Sequence, residues 1–305
     1  MRPPTLVLLL YLAACSGAEP SAEARAAAPA RQQRPPLAAP LQQERPRLAE
    51  RHDFEQPIWR VDVPGRLDEV SGLATTPDGR LFAHDDERGR VHEIDPASGG
   101  VGKRFDLAGG EVRDDFEAIA VVGERFFLVS SRGLLYEFRE VGDREETPYR
   151  VTDSGVGATC EVEGLDYHPS SDALLLACKA STSAPGSIVV HRLPLDPAAP
   201  RPPSIVIERS ALAALGLDPD FAPSSIAVDP GGTLVLASAT TEALLEVDTT
   251  GAALSGVRLP RGRHQQPEGL AFGPGGALLV ADERNGADPM LTAYGPSAAP
   301  GGGRP

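Results

Sequence analysis

The sequence predicts an all-β fold: a five-bladed β-propeller of four-stranded antiparallel blades, closed by its own N-terminal strand. Three observations carry that expectation. They are an internal repeat with a period in the forties, hairpin punctuation inside each repeat, and an orphan strand ahead of the first. Five segments open the repeats: Glu69-Val70-Ser71-Gly72-Leu73-Ala74, Asp115-Phe116-Glu117-Ala118-Ile119-Ala120, Glu161-Val162-Glu163-Gly164-Leu165-Asp166, Ala222-Pro223-Ser224-Ser225-Ile226-Ala227 and Gln266-Pro267-Glu268-Gly269-Leu270-Ala271. Their third residues stand 46, 46, 61 and 44 positions apart. A period of that length without a helical pattern suits a propeller blade.

The elements follow in order. In the first repeat, strands at 71–75, 80–84, 91–95 and 103–107 are separated by Pro77-Asp78-Gly79, Arg88-Gly89 and Pro96-Ala97-Ser98-Gly99-Gly100. Turn residues between short apolar runs mark hairpins. The fourth and fifth repeats use Asp229-Pro230-Gly231-Gly232 and Gly273-Pro274-Gly275-Gly276 in the same way. The long third interval holds one candidate helix, 210–215, with Ser210 as its cap and Gly216 as its stop. A sixth blade hidden there is the alternative. The fifth repeat has only three strands, the last at 291–294, while residues 57–63 form an unpaired strand upstream. Pairing the two ends supplies the missing outer strand and leaves no open sheet edge.

Around this domain, placed at 56–296, the chain changes character. Residues 1–15 combine Arg2, a short apolar run and Leu12-Ala13-Ala14-Cys15. The run is too short to span a bilayer but suits a signal peptide. Residues 16–55 are rich in Ala, Pro, Arg, Gln and Glu with no apolar period, and six prolines fall from Pro20 to Pro46. Such a stretch buries too little apolar surface to order itself, so it is read as a disordered tether with a reach of roughly 35 Å. Residues 297–305 form a similar tail. The chain carries 43 acidic against 29 basic side chains, a net charge of −14, and no basic patch. Nucleic acid is therefore not an expected partner.

The chemistry concentrates in the repeat openings. Residues two apart on a strand share a face, so the first and third positions predict two stacked rings at one channel mouth. The first ring is Glu69, Asp115, Glu161, Ala222 and Gln266; the second is Ser71, Glu117, Glu163, Ser224 and Glu268. Asp86 and Asp282, at the ends of second strands, join them. Six carboxylates at one opening need a counter-charge. A Ca²⁺ ion, which takes six to eight oxygen ligands, is one, held by Glu69, Asp115, Glu117, Glu161, Glu163 and Glu268. Arg88, Arg132 and Arg284 are the other, pairing with the ring acids without any metal. His84, beside Asp85 and Asp86, is read as a surface turn residue or a proton acceptor. No two of the six histidines have zinc-ligand spacing. Cys160 and Cys178 lie nine residues either side of Pro169, the start of a hairpin turn. They are expected to face each other across the pair and form a disulfide in an oxidising compartment.

Leu12-Ala13-Ala14-Cys15 resembles the bacterial lipobox, which implies an acylated Cys15 and a lipid-anchored envelope protein. With Ser16 after the cysteine, the outer membrane facing the periplasm is implied. Glu-Val-Ser-Gly-Leu, Phe-Glu-Ala-Ile, Glu-Val-Glu-Gly-Leu, Gln-Pro-Glu-Gly-Leu-Ala and the Asp-Glu-Arg triplets together resemble the SdiA-regulated (YjiK-like) family of envelope proteins. The resemblance covers about 58–294 and implies the fold, but no established activity. The expected function is a monomeric, membrane-anchored platform that binds or senses a small molecule or an envelope protein, with Ca²⁺ as the candidate ion. A calcium-dependent hydrolase of phytase-like type is the alternative. A lactonase stands further back, because such sites are rich in asparagine and Asn285 is the only one here.

Overall fold

The computed structural model describes residues 45–63, 67, 69–286 and 288–296. The expected signal peptide with Cys15, the expected tether up to residue 44 and the expected tail from 297 lie outside the described residues.

Five antiparallel sheets form the ring. A lone strand, β1 (Trp59–Asp62), precedes the first blade, which contains β2 (Val70–Thr75), β3 (Leu81–Asp85), β4 (Arg90–Ile94) and β5 (Val101–Leu107). Blade two contains β6 (Phe116–Val122), β7 (Arg125–Ser130) and β8 (Leu134–Arg139); then come the short β9 (Glu146–Thr147) and blade two's outer strand β10 (Tyr149–Asp153). Blade three is β11 (Cys160–His168), β12 (Ala173–Ser181), β13 (Ser187–Pro194) and β14 (Ile205–Glu208). Blade four is β15 (Ser225–Val228), β16 (Leu234–Ser238), β17 (Ala243–Val247) and β18 (Ala253–Arg258). Blade five has β19 (Pro267–Phe272), β20 (Leu278–Asp282) and β21 (Met290–Tyr294) from the C-terminal end, and β1 completes it. Trp59 pairs with Ala293 and Asp62 with Met290. The inner strands β2, β6, β11, β15 and β19 neighbour one another in turn, and β19 returns to β2. Five blades are therefore the whole ring.

The core lies between blades. Phe82, Phe105, Phe126 and Phe138 interlock between blades one and two, with ring centroids 5.0–6.1 Å apart. Such aromatic pairs add to their area burial.

Four local features differ from the sequence reading. The interval before blade four holds two 3₁₀ turns, Arg209–Ala211 and Ala213–Leu215, in place of one helix. Gly216 does stop the second in a left-handed conformation, φ 73°. β9 leaves blade two and pairs in parallel with β5, making blade one five-stranded.

The tether's last eleven residues, 45–55, are packed, because they carry apolar and cationic groups that blades four and five can use. Leu48, in the single helical turn α1 (Leu48–Arg51), is fully buried, as nearly is Phe54. The Leu48 N–H donates to Glu246 Oε2 at 2.7 Å, and Arg51 bridges Glu246 Oε1 (2.6 Å) and Asp229 Oδ2 (2.5 Å).

Finally, Cys160 and Cys178 are joined in a disulfide with Cα atoms 5.4 Å apart, but they are not directly opposed. Cys160 pairs with Ser181 and Cys178 with Val162, so the bond runs diagonally across a bulged stretch of β11.

Candidate functional site

The bulge is general. In β2, β6, β11 and β19 the register slips at the third position of the repeat. Phe116 pairs with Ser130 and Ala118 with Val129, leaving Glu117 out of the ladder. Ser71, Glu163 and Glu268 are skipped in the same way. An extra residue in one strand bends it and re-aims a side chain. Here the re-aimed side chains lie at the starts of these four inner strands, at one end of the channel.

Glycine follows the skipped residue in three blades because the inner strands approach closely. A Cβ on Gly164 would lie 2.9 Å from the Ile226 nitrogen, and one on Gly72 would lie 3.1 Å from the Ile119 nitrogen and 2.6 Å from His84 Nε2 of its own blade. A methyl group does not fit there.

The two expected rings consequently separate. Glu69, Asp115 and Glu161 are exposed at the rim, and Asp115 accepts a hydrogen bond from Ser131 Oγ at 2.6 Å. Ser71, Glu163 and Ser224 are buried, with Glu117 and Glu268 half-buried. Ser224 Oγ donates to the Pro267 carbonyl at 2.6 Å, tying blade four to blade five. Gln266 donates its side-chain amide to Glu283.

The carboxyls that remain sense one another. Burial first, then Glu163 and Asp115, push Glu117 up to about 9. Burial first, then Glu163 and Glu283, push Glu268 up to about 8. Asp86 rises to about 7 through burial and the nearby Glu69. Glu163 is raised by burial, against the pull of a cation that sequence reasoning missed. That cation is Lys179, whose Nζ lies 2.8 Å from Glu163 Oε1. Burial draws its ammonium down, but the bond to Glu163 and the charges of Glu163, Glu161 and Glu268 together outweigh it, and the net shift is upward.

The arginines do other work. Arg88 pairs with Glu111 at 2.7 Å and Arg132 with Asp114 at 2.7 Å, while Arg284 lies 3.5 Å from Asp288. Each of these arms is long enough to reach loop acids beyond the rim, so Arg88 and Arg132 do not neutralise the ring. Asp282 also leaves the site. Strand alternation turns it into blade five, where Oδ2 meets His264 Nδ1 at 2.7 Å and His264 Nε2 meets Tyr294 Oη at 2.5 Å. His84 is fully buried inside blade one and is no surface turn residue; burial lowers its imidazole to about 4.

The donors suit a cation, with one geometric limit. Among the described residues no three of these carboxylates bring oxygen atoms within 4.8 Å of one another. The opposite end of the channel opens into a separate cavity of about 330 Å³ lined by residues that include Asp166, His168, Asp229 and Phe272.

Comparison with known proteins adds the fold alone. No family model and no curated protein matches the chain. Among solved structures, the chain is similar to a glutaminyl cyclase of Myxococcus xanthus at 14% identity and TM-score 0.52, covering 80% of this chain and 97% of that one. It is similar to the PQQ-bound aldose sugar dehydrogenase of Streptomyces coelicolor at 11% identity and TM-score 0.53, covering 79% and 98%. A luciferin-regenerating enzyme matches at 11% identity and TM-score 0.51, covering 79% and 95%. Those proteins show how many chemistries a propeller hosts; the site has to decide.

Proposed function

We propose that this protein is a binding platform of the bacterial cell envelope, carried there by a lipid on Cys15, whose channel mouth takes up a cation. The lipobox and the resemblance to the SdiA-regulated family support the location. One observation carries the binding role: bulges aim Glu117, Glu163 and Glu268 at one opening, where Lys179 is the cation paired among them. A cation entering there relieves mutual repulsion and displaces the protons that Glu117 and Glu268 hold at neutral pH.

Two kinds of cation have suitable chemistry. Ca²⁺ is matched by hard carboxylate oxygens, and Glu117, Glu163 and Glu268 would hold it. The spacing of the acids favours an ammonium-bearing organic ligand, which can bridge carboxyls too far apart for one ion and takes the role that Lys179 Nζ already plays. Calcium-dependent hydrolysis would first require calcium in this mouth, so one experiment addresses both.

Calorimetric titration of the purified protein with CaCl₂ and, separately, with a short N-acetylated, C-amidated peptide carrying one lysine, whose side-chain ammonium stays charged through pH 9, provides the test. Affinity for the peptide should rise from pH 6 to pH 9, with protons released on binding, and Glu117→Gln should flatten that rise. Calcium binding at a 1:1 ratio with no peptide binding would favour the ion. Failure of both probes, with the fold intact, would remove the mouth as a cation site.

A further inference from the structure

A second cluster, independent of the channel mouth, sits inside blade three. The sulfurs of Cys160 and Cys178 and a ring nitrogen of His191 all lie within 4.8 Å of one another. Cys160 is 4% exposed and Cys178 2%, and both pack among Val162, Leu176 and Val189. His191 is on β13 opposite Leu176, on the face that carries Cys178. Its Nδ1 is held 2.8 Å from Ser204 Oγ. Its Nε2 is buried and has no hydrogen-bond partner among the described residues. A buried ring nitrogen with no partner is costly unless something uses it.

We propose that the Cys160–Cys178 disulfide and His191 form a redox-gated site for a thiophilic cation of the Zn²⁺ class, closed when oxidised and open when reduced. Reduction by a dithiol breaks the S–S bond. Two electrons and two protons pass to the cysteines, and the dithiol leaves as its own disulfide. The cation then displaces both thiol protons and gains two thiolates and the His191 nitrogen. Two sulfurs and one imidazole are a borderline-soft donor set that selects zinc over calcium. Ser204 supplies the outer contact that fixes the ring of a ligating histidine. Return to the oxidised state by exchange with an external disulfide rejoins the two sulfurs, reduces that disulfide to two thiols, and expels the ion.

A route for both reagents exists. Cys160 lines a surface cavity of about 430 Å³ between Ser131-Arg132, Gly157–Thr159 and Ala180–Thr182, beside the acidic rim. Cys160 therefore borders a surface recess, on the side from which its disulfide would be approached.

Cobalt(II) is the probe, since thiolate-to-Co²⁺ charge transfer is visible in the near ultraviolet. The full chain, carrying Cys15→Ser so that only two thiols remain, is reduced anaerobically with a phosphine and then freed of it. The reduced protein should bind one equivalent of Co²⁺ with thiolate bands, and Zn²⁺ should displace it. The oxidised protein should bind none with such bands. His191→Ala should keep both thiols titratable but weaken Co²⁺ by at least about tenfold, since losing even an outer-shell partner costs roughly that much. Circular dichroism accompanies each sample. Two titratable thiols without Co²⁺ binding, a reduced chain that has lost its β-sheet signal, or a His191→Ala variant that binds like the parent would each overturn the proposal.

Discussion

A single skipped residue in four of the five inner strands decides what the mouth can do. Glu117 and Glu268 are pushed to about 9 and about 8 from an ordinary 4.5. Between those limits the native state binds more protons than the unfolded chain. The stability these two groups contribute is thus complete below about pH 4.5 and is lost as pH rises through 8 to 9. Thermal melts from pH 5 to pH 9 should decline, and Glu117→Gln should flatten the decline and raise the Tm at pH 9 by several degrees, about 2–4 °C per kcal/mol. An unchanged slope would mean the carboxyl is not repelled. Lys179→Met removes the resident counter-charge; it should cost about 1–3 kcal/mol near neutral pH and strengthen binding of an added ammonium ligand. Equal affinity in parent and variant would place Lys179 outside the binding event. Much of this site was legible, because the third positions of the repeat share one environment. Lys179 was not legible from the arginine pattern, because it sits at the end of the second strand while Arg88, Arg132 and Arg284 lie further along. The registers put Asp85, Ser130, Cys178 and Asp282 opposite equivalent residues, so Asp86, Ser131, Lys179 and Glu283 are the next in line. Aligning second-strand ends would have found the cation, and would also have shown that Asp282 points the other way.

At the scale of elements, local pattern predicted strands well and bulges not at all. A bulge costs one ladder pair and is fixed by contacts between neighbouring strands, which a single repeat does not reveal. The glycine after Glu163 was its visible trace. Gly164→Ala should cost about 1–3 kcal/mol through overpacking against Ile226, whereas Gly186→Ala, in a turn with nothing near its Cβ, tests only the strain of positive φ (83°). If chemical denaturation ranks Gly164→Ala as the milder change, the close approach of β11 and β15 is not what requires glycine. The strap at 45–55 was misread because proline and arginine dominate its composition. Its order comes from two buried acids in blade four, Asp229 and Glu246, each 1–2% exposed. Arg51→Ala should destabilise by about 3 kcal/mol, because Glu246 loses its guanidinium while buried. Urea denaturation with parent and variant compared at fixed pH measures it, and a loss under about 0.5 kcal/mol would mark the strap as decoration.

For the molecule as a whole, the ring was legible because closure is an arithmetic property of the chain: three strands at one end and one at the other. Purpose was less legible, since propellers host chemistries as different as those of a cyclase and a dehydrogenase. The β1–β21 ladder joins residues 59 to 62 with residues 290 to 293, nearly the full length of the described chain apart. Time enters the fold at that seam. The ring's first strand to leave the ribosome must wait, unpaired, until the ring's last strand has been made. No shorter nascent chain can complete the circle, whatever its blades have done. Contacts so distant in sequence form slowly, and until they form, β21 presents a bare edge to every neighbour in a crowded compartment. A holding partner during that interval, or rapid delivery of the finished chain in one piece, is what this topology demands of the cell that makes it.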